Sequence, residues 1–412
     1  MQKKMMAAAV AGALAAPAMA FAQASTVQIY GTVIVNYNYL DRGSGAIKID
    51  MLNSHDANIG FRGEEKVGGG LSWWFQCEST MDVTGNESFE KGFCARNSAI
   101  GLKGAFGNIF WGNWDTPAKN AATPARIWST LGGFGNGELL WNGSADNAGN
   151  GSYAYDAANI NLIGTANGCP GRTGFSRRQA NSIFYHSPEW SGFQFQAGYS
   201  TLNEMTAATG AAPFSKPRLW SLGALYSNGP LYLGAGYERH RNYNPANQAS
   251  CVVGVVPTAA QYCGGTDRLW NVAAAYTFAG VFKLSGIYTD VEYDVAGGRN
   301  VSRKAWGVYG DWNIQGPHRL RAGYTTAGDS KGTGGTGTAI NLTAIRANGG
   351  AGSTGADQWS LQYAYAFSKR TELNFGYTRL NNDTNGRYRV DLAPRIQGND
   401  EHVWVLGVRH SF

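Results

Sequence analysis

Charge is scarce in this 412-residue chain: Asp, Glu, Lys and Arg make up 15% of it, against roughly 25% in ordinary soluble domains. The formal surplus of +6 is too mild for a nucleic-acid footprint, and no nucleic-acid partner is expected. Long apolar runs are missing as well. Beyond the N-terminal leader, nothing approaches the ~18 consecutive apolar residues of a membrane helix, which excludes a helical membrane protein. The five cysteines form no Cys-x-x-Cys pair, and no histidine stands beside them at ligand spacing, so no zinc site is expected. Catalytic signatures are also lacking. There is no Gly-x-Ser-x-Gly, His-Glu-x-x-His or Gly-x-x-x-x-Gly-Lys, and none of the six histidines sits at a recognisable triad spacing. The expected protein is not an enzyme and needs no cofactor.

Glycine and aromatics fill the space that charge leaves. The 57 glycines are about twice the usual share, and 13 Trp, 21 Tyr and 18 Phe supply core-forming side chains that disordered chains lack. The chain opens with Lys3 and Lys4, then an apolar stretch to Ala16, then small residues in Ala-x-Ala order from Ala18 to Ala24. That is the layout of a cleaved export signal, expected over residues 1–22, with the mature domain over 23–412. Without the two lysines the charge of +6 falls to +4. An exported chain meets an oxidising compartment, where disulfides form. Cys77 and Cys94 flank a polar, turn-rich stretch, and Cys251 and Cys263 flank another, so pairing within each couple is expected, with Cys169 left free.

From Val27 onward the pattern has a period of two, the mark of strands whose successive side chains face opposite ways. Phe193, Phe195, Ala197 and Tyr199 alternate with Gln194, Gln196, Gly198 and Ser200; Trp359, Leu361, Tyr363 and Tyr365 alternate with Gln358, Ser360, Gln362 and Ala364. About sixteen such segments begin near residues 26, 47, 70, 92, 108, 176, 192, 217, 231, 266, 281, 301, 318, 355, 371 and 401. Many are about 10 residues long, enough to cross a bilayer as tilted strands. Their connections alternate between short and long, the longest covering 116–175. A closed antiparallel barrel in an outer membrane has this rhythm. Closure is obligatory there, because an open edge in lipid leaves backbone groups unpaired at several kcal/mol each. A secreted β-sandwich or β-helix would alternate too, without the short-long rhythm. Tyr185, Trp190, Tyr226 and Tyr237 stand near strand ends, where interfacial girdles form.

The order and spacing of several fragments resemble general diffusion porins of the beta-proteobacterial type. They are Val27-Gln28-Ile29-Tyr30-Gly31, Ile59-Gly60-Phe61-Arg62-Gly63-Glu64, Ile100-Gly101-Leu102-Lys103-Gly104, Trp114-Asp115-Thr116-Pro117 and the ending Gly407-Val408-Arg409-His410-Ser411-Phe412. The resemblance implies an all-β, sixteen-stranded antiparallel transmembrane β-barrel whose third extracellular loop, here 116–175, folds inward to narrow the lumen. It also implies a homotrimer in the outer membrane of a Gram-negative bacterium, in contact with lipid and lipopolysaccharide. The channel would pass small hydrophilic solutes and ions passively, with a mild anion preference. A substrate-selective channel or surface binding protein is the alternative.

The family's constriction sets basic residues on the wall against loop carboxylates. Arg96 matches one basic position, and Arg178 another, with Arg177 as its neighbour and rival. Glu138, or else Asp146, is the expected loop acid. Two further basic positions of the family read Thr32 and Asn58 here. The cluster is therefore thinner, or is rebuilt from Arg62, Lys283, Arg303, Arg319 and Arg321, all inward in phase. Trp404, Leu406, Val408, His410 and Phe412 share one face of the last strand and resemble the terminal signal read by the barrel-assembly machinery.

Overall fold

The computed structural model describes residues 27–43, 48–54, 56–85, 92–127, 134, 138–142, 175, 177–201, 218–245, 263–295, 299–329, 331–332, 353–384, 386, 388–390 and 398–412. Residues 1–26, Cys169, Cys251 and Asp146 lie outside these, so the export signal and the Cys251–Cys263 pairing fall beyond the described chain.

The period-two pattern becomes β1 (Gln28–Asp41), β2 (Ile49–Asn53), β3 (Asn58–Gly68), β4 (Leu71–Thr80), β5 (Ser98–Gly104) and β6 (Gly107–Asp115). A helix α1 (Pro117–Ala122), a 3-10 turn (Thr123–Ala125) and a π-helical turn (Glu138–Asn142) follow. Then come β7 (Arg178–His186), β8 (Phe193–Ser200), β9 (Arg218–Asn228), β10 (Leu231–Pro245), β11 (Cys263–Phe278) and β12 (Phe282–Val295). The chain ends with β13 (Arg299–Asn313), β14 (His318–Ala327), β15 (Lys331–Gly332), β16 (Ala356–Ala366), β17 (Thr371–Asn382) and β18 (Glu401–Ser411). Both β2 and β3 pair with β1, and both β14 and β15 pair with β13, so the eighteen segments make sixteen staves. Every ladder is antiparallel, and β18 returns to β1 from Thr32↔Ser411 to Asp41↔His402. Gly31 and Phe412 then exchange backbone hydrogen bonds of 3.2 and 3.0 Å. The barrel is closed, as its sixteen-stave reading requires.

The outer face is apolar. On β11, Trp270, Val272 and Tyr276 are exposed while Leu269, Asn271, Ala273 and Ala275 are buried. Tyrosine and tryptophan pair across strands on the outside, as in Tyr199 with Trp220, Tyr237 with Trp270 and Tyr377 with Trp404 (centroids 4.2, 4.3 and 4.5 Å). A second set near the short turns includes Tyr276 with Phe278 and Tyr365 with Phe367. These are aromatic girdles at membrane interfaces. Trp404, Leu406, Val408, His410 and Phe412 all point outward from β18.

The inner face is not uniformly wet. Phe134, Leu139, Leu140 and Trp141 are buried against Leu269, Val291, Tyr309 and Leu380 of the wall, so the hydrophobic core lies inside the barrel, under the infolded segment. Hydrogen bonds hold that segment in place. Ser221 Oγ accepts from Ala118 N (2.9 Å), Asn271 Nδ2 donates to Ala118 O (2.9 Å), and Ser285 Oγ donates to Ala125 O (2.7 Å). Thr289 donates to Leu140 O (2.6 Å) and Arg303 to Leu139 O (2.6 Å). At Gly234 an added Cβ would stand 2.0 Å from Ala121 O, so glycine is what allows α1 to lie flat on the wall.

Two strands differ from the sequence expectation. The stave expected from residue 47 breaks at residues 54–57, where Asp56 takes a φ of 64° and Ala57 N donates to Ser54 O. The strand expected near 92 starts at Ser98, because Gly92 and Cys94 adopt positive φ (145° and 60°) and Cys94 is tied to Cys77. That disulfide has Cα atoms 4.7 Å apart and joins positions 17 residues apart. It fastens the β4–β5 loop beside the outward ring of Phe61, which Phe93 meets at 6.5 Å. A closed loop of that length corresponds to about 3 kcal/mol of chain entropy. Non-reducing peptide mapping should recover a Cys77–Cys94 link; free thiols at both positions would contradict it.

Candidate functional site

Strand ends on one wall bring charged side chains together where α1 begins. Arg96, just before β5, is held by its backbone N–H on Glu78 O (2.9 Å), and its Nε donates to Glu78 Oε1 (2.8 Å). Asp56, at the break between β2 and β3, lies 3.7 Å from the same guanidinium. Tyr30 of β1 donates to Glu78 from the other side (3.0 Å), while Arg62 lies over the Tyr30 ring at 5.0 Å. Charge-assisted bonds of this kind fix orientation as well as charge.

A second knot adjoins it. Asp115 at the end of β6 accepts from Lys119 Nζ (2.5 Å, one helical turn on) and from Asn97 Nδ2 (2.9 Å). Arg178 Nε donates to Asn97 Oδ1 (3.1 Å) and stands 3.7 Å from Asp115. Burial pushes the Lys119 ammonium below its ordinary pKa, against the pull of Asp115. Arg126, beyond the 3-10 turn, sits over Trp141 at 4.6 Å and within electrostatic reach of Asp56 and Asp115.

Arg96 and Arg178 are thus brought together through Asn97 and Asp115. Arg178 does not keep the alternation set by the inward Ser182. A register shift between Gly112 and Trp114, with Asn181 at φ 51°, breaks that alternation, and Gln179 is the side chain that reaches Ser200. Arg177 contributes its backbone oxygen to Thr116 N (3.3 Å). Glu138 opens the π-helical turn, and Asp146 lies outside the described residues. Sequence reasoning missed Asp56, Glu78, Asp115, Lys119 and Arg126. The Asp115-x-x-x-Lys119 spacing beside Pro117 was a legible sign of a helical ion pair, and Glu78 shares the inward phase of Gln76.

The remaining inward basic residues separate into two places. Lys283, Arg319 and Arg321 form a lower belt near the short turns, where Asp311 meets Arg319 and lies 3.8 Å from Arg321, and Glu372 lies 3.5 Å from Arg321. Lys283 itself donates to Pro124 O at the foot of the infolded segment (2.5 Å). Arg303 stands higher, buried, where it anchors Leu139 and bonds Tyr388. A closed barrel with an infolded, charge-lined segment is a channel architecture.

Family comparison decides the assignment, since residues 7–385 match the model described as Gram-negative porin. The chain belongs to the Gram-negative porin family. An outer membrane porin protein of Bordetella pertussis is 26% identical over the whole of both chains. Outer membrane porin protein 32 of Delftia acidovorans is likewise 26% identical, again over both full lengths. Among solved structures, the anion-selective porin from Comamonas acidovorans superposes with a TM-score of 0.67 at 21% identity, covering 94% of this chain and 100% of that one. OmpT of Vibrio cholerae, in trimer form, gives 0.64 at 17% identity over 95% and 100%. This porin is therefore an outer-membrane channel for diffusion, and its resemblance to the beta-proteobacterial type holds along the chain. In it, Glu78→Gln should free part of the Arg96 charge. The reversal potential in a salt gradient should move several millivolts toward anion preference; movement toward cations would contradict the assigned pairing.

Proposed function

We propose that this porin works as a homotrimer that passes small hydrophilic solutes and ions down their gradients with a mild preference for anions. The observation that carries the preference is the charge balance of the constriction. Among the described residues joined there by ion pairs or electrostatic contact, Arg96, Lys119, Arg126 and Arg178 outnumber Asp56, Glu78 and Asp115 by one. Low-dielectric walls focus that residual field onto passing ions. The segment 116–175 is the constricting loop in this reading, with its described part pinned to the wall. The described carboxylates sit beside the arginines on the barrel wall, so much of the charge is neutralised locally, which favours weak selectivity over strong. The anion selectivity of the Comamonas porin and the trimer form of the Vibrio protein agree with this reading.

The leader, residues 1–22, is removed on export, the outward face ending in Phe412 is read by the barrel-assembly machinery, and the girdles meet lipid and lipopolysaccharide. The protein is a conduit, not a catalyst.

Arg96→Glu with Arg178→Glu should move the reversal potential toward cation preference. An unchanged value would remove both residues from the ion path. Purified protein in planar bilayers should give large ohmic openings that come in threes; single independent steps would count against the trimer.

A further inference from the structure

The lumen wall below the Arg96–Arg178 cluster differs in kind from the wall opposite. Inward positions of β16 and β17 are Gln358, Ser360, Gln362, Asn374 and Thr378, all buried and joined in hydrogen bonds such as Gln362 to Asn374 (3.0 Å) and Thr378 to Ser360 (2.8 Å). On β4, β6 and β7 the same side carries Trp74, Phe110, Trp114 and Phe184. Trp74 lies 5.4 Å from Phe110 and 5.7 Å from Trp114, and Phe110 lies 5.3 Å from Trp114. Phe184 stacks on Phe110 at 5.1 Å and 18°.

The two phenyl rings are almost fully buried and back the group, whereas the two indoles are only part-buried. Trp74 is held in orientation by Nε1 donating to Asn108 Oδ1 (2.7 Å), and the inward face at Gly101 leaves room for it, since an added Cβ there would stand 2.5 Å from Nε1. Lys103 lies 5.6 Å from the Trp74 ring and pairs with Glu64 (2.9 Å). Indoles fixed at the edge of an aqueous lumen are unusual where polar side chains suffice.

The rings are contiguous with the cations. Trp114 precedes Asp115, and its register partner Gln179 follows Arg178. A solute whose carboxylate is drawn to the cluster therefore meets indole surfaces at the next step along the wall. Planar π faces favour offset or edge contact with another aromatic ring over an aliphatic ring of equal size.

We propose that Trp74 and Trp114 form a stacking track that, together with the Arg96–Arg178 cluster, makes the channel preferentially permeable to aromatic monocarboxylates. This rests on the anion-passing reading above.

The test measures reversal potentials with potassium chloride on one side and potassium benzoate or cyclohexanecarboxylate on the other, in planar bilayers. Benzoate should permeate about threefold or more better than its saturated analogue, the size of effect one ring–ring contact supplies. In Trp74→Leu with Trp114→Leu the ratio should fall toward one while chloride conductance stays as in the parent. A ratio near one in the unaltered protein, or a ratio that survives both substitutions, would overturn the track. If the double variant does not insert, the ratio in the unaltered protein decides alone. A potassium chloride gradient run alongside separates the two levels: cation preference there overturns the anion-passing reading and the track with it, whereas anion preference without a benzoate advantage overturns the track only.

Discussion

A strand edge left open in hydrocarbon has no partner for its N–H and C=O groups, and that constraint governs nearly everything in this molecule. It requires a return of β18 onto β1, sealed by the reciprocal Gly31–Phe412 bonds. It requires sixteen staves in one register chain, and the break between β2 and β3 falls toward the ends carrying long connections. The same constraint reaches the lumen. A segment folded inside brings its own backbone carbonyls, and Asn271, Lys283, Ser285, Thr289 and Arg303 exist on the inner wall as donors for them.

The barrel was legible in the sequence because period-two alternation is local. Each of β7 to β14 begins within three residues of its expected start. The misplaced strand, β5, is the one whose approach is set by the nonlocal Cys77–Cys94 link and by the Arg96–Glu78 backbone bond. The charged cluster at the start of α1 was less legible for the same reason. Arg96 and Arg178 could be matched by motif, but their carboxylate partners come from β4, β6 and the β2–β3 break, which only closure brings together. Arg126 could not be read at all, since it follows no periodic pattern and takes its position from the packing of α1.

Charge in the lumen is organised as short-range pairs with a small remainder. In the Arg96–Arg178 cluster each cation with a described partner has a carboxylate or amide within 3.8 Å, and the lower belt repeats the arrangement around Asp311 and Glu372. Paired groups orient one another and shed most of their far field, so ion preference depends on the surplus rather than on the number of arginines. A change to any one partner therefore acts twice, on the field and on the posture of the side chain left behind.

The bonds that hold the infolded segment join residues far apart in the chain: 103 positions separate Ala118 from Ser221, and 164 separate Leu139 from Arg303. Contacts of such range carry a large loop-closure entropy, though less than the β1–β18 seam, where Thr32 and Ser411 meet 379 positions apart. The strands that receive the segment are all C-terminal to it. The infolded segment can therefore take its seat only on strands made after it, so its place on the inner wall waits on β9 to β13.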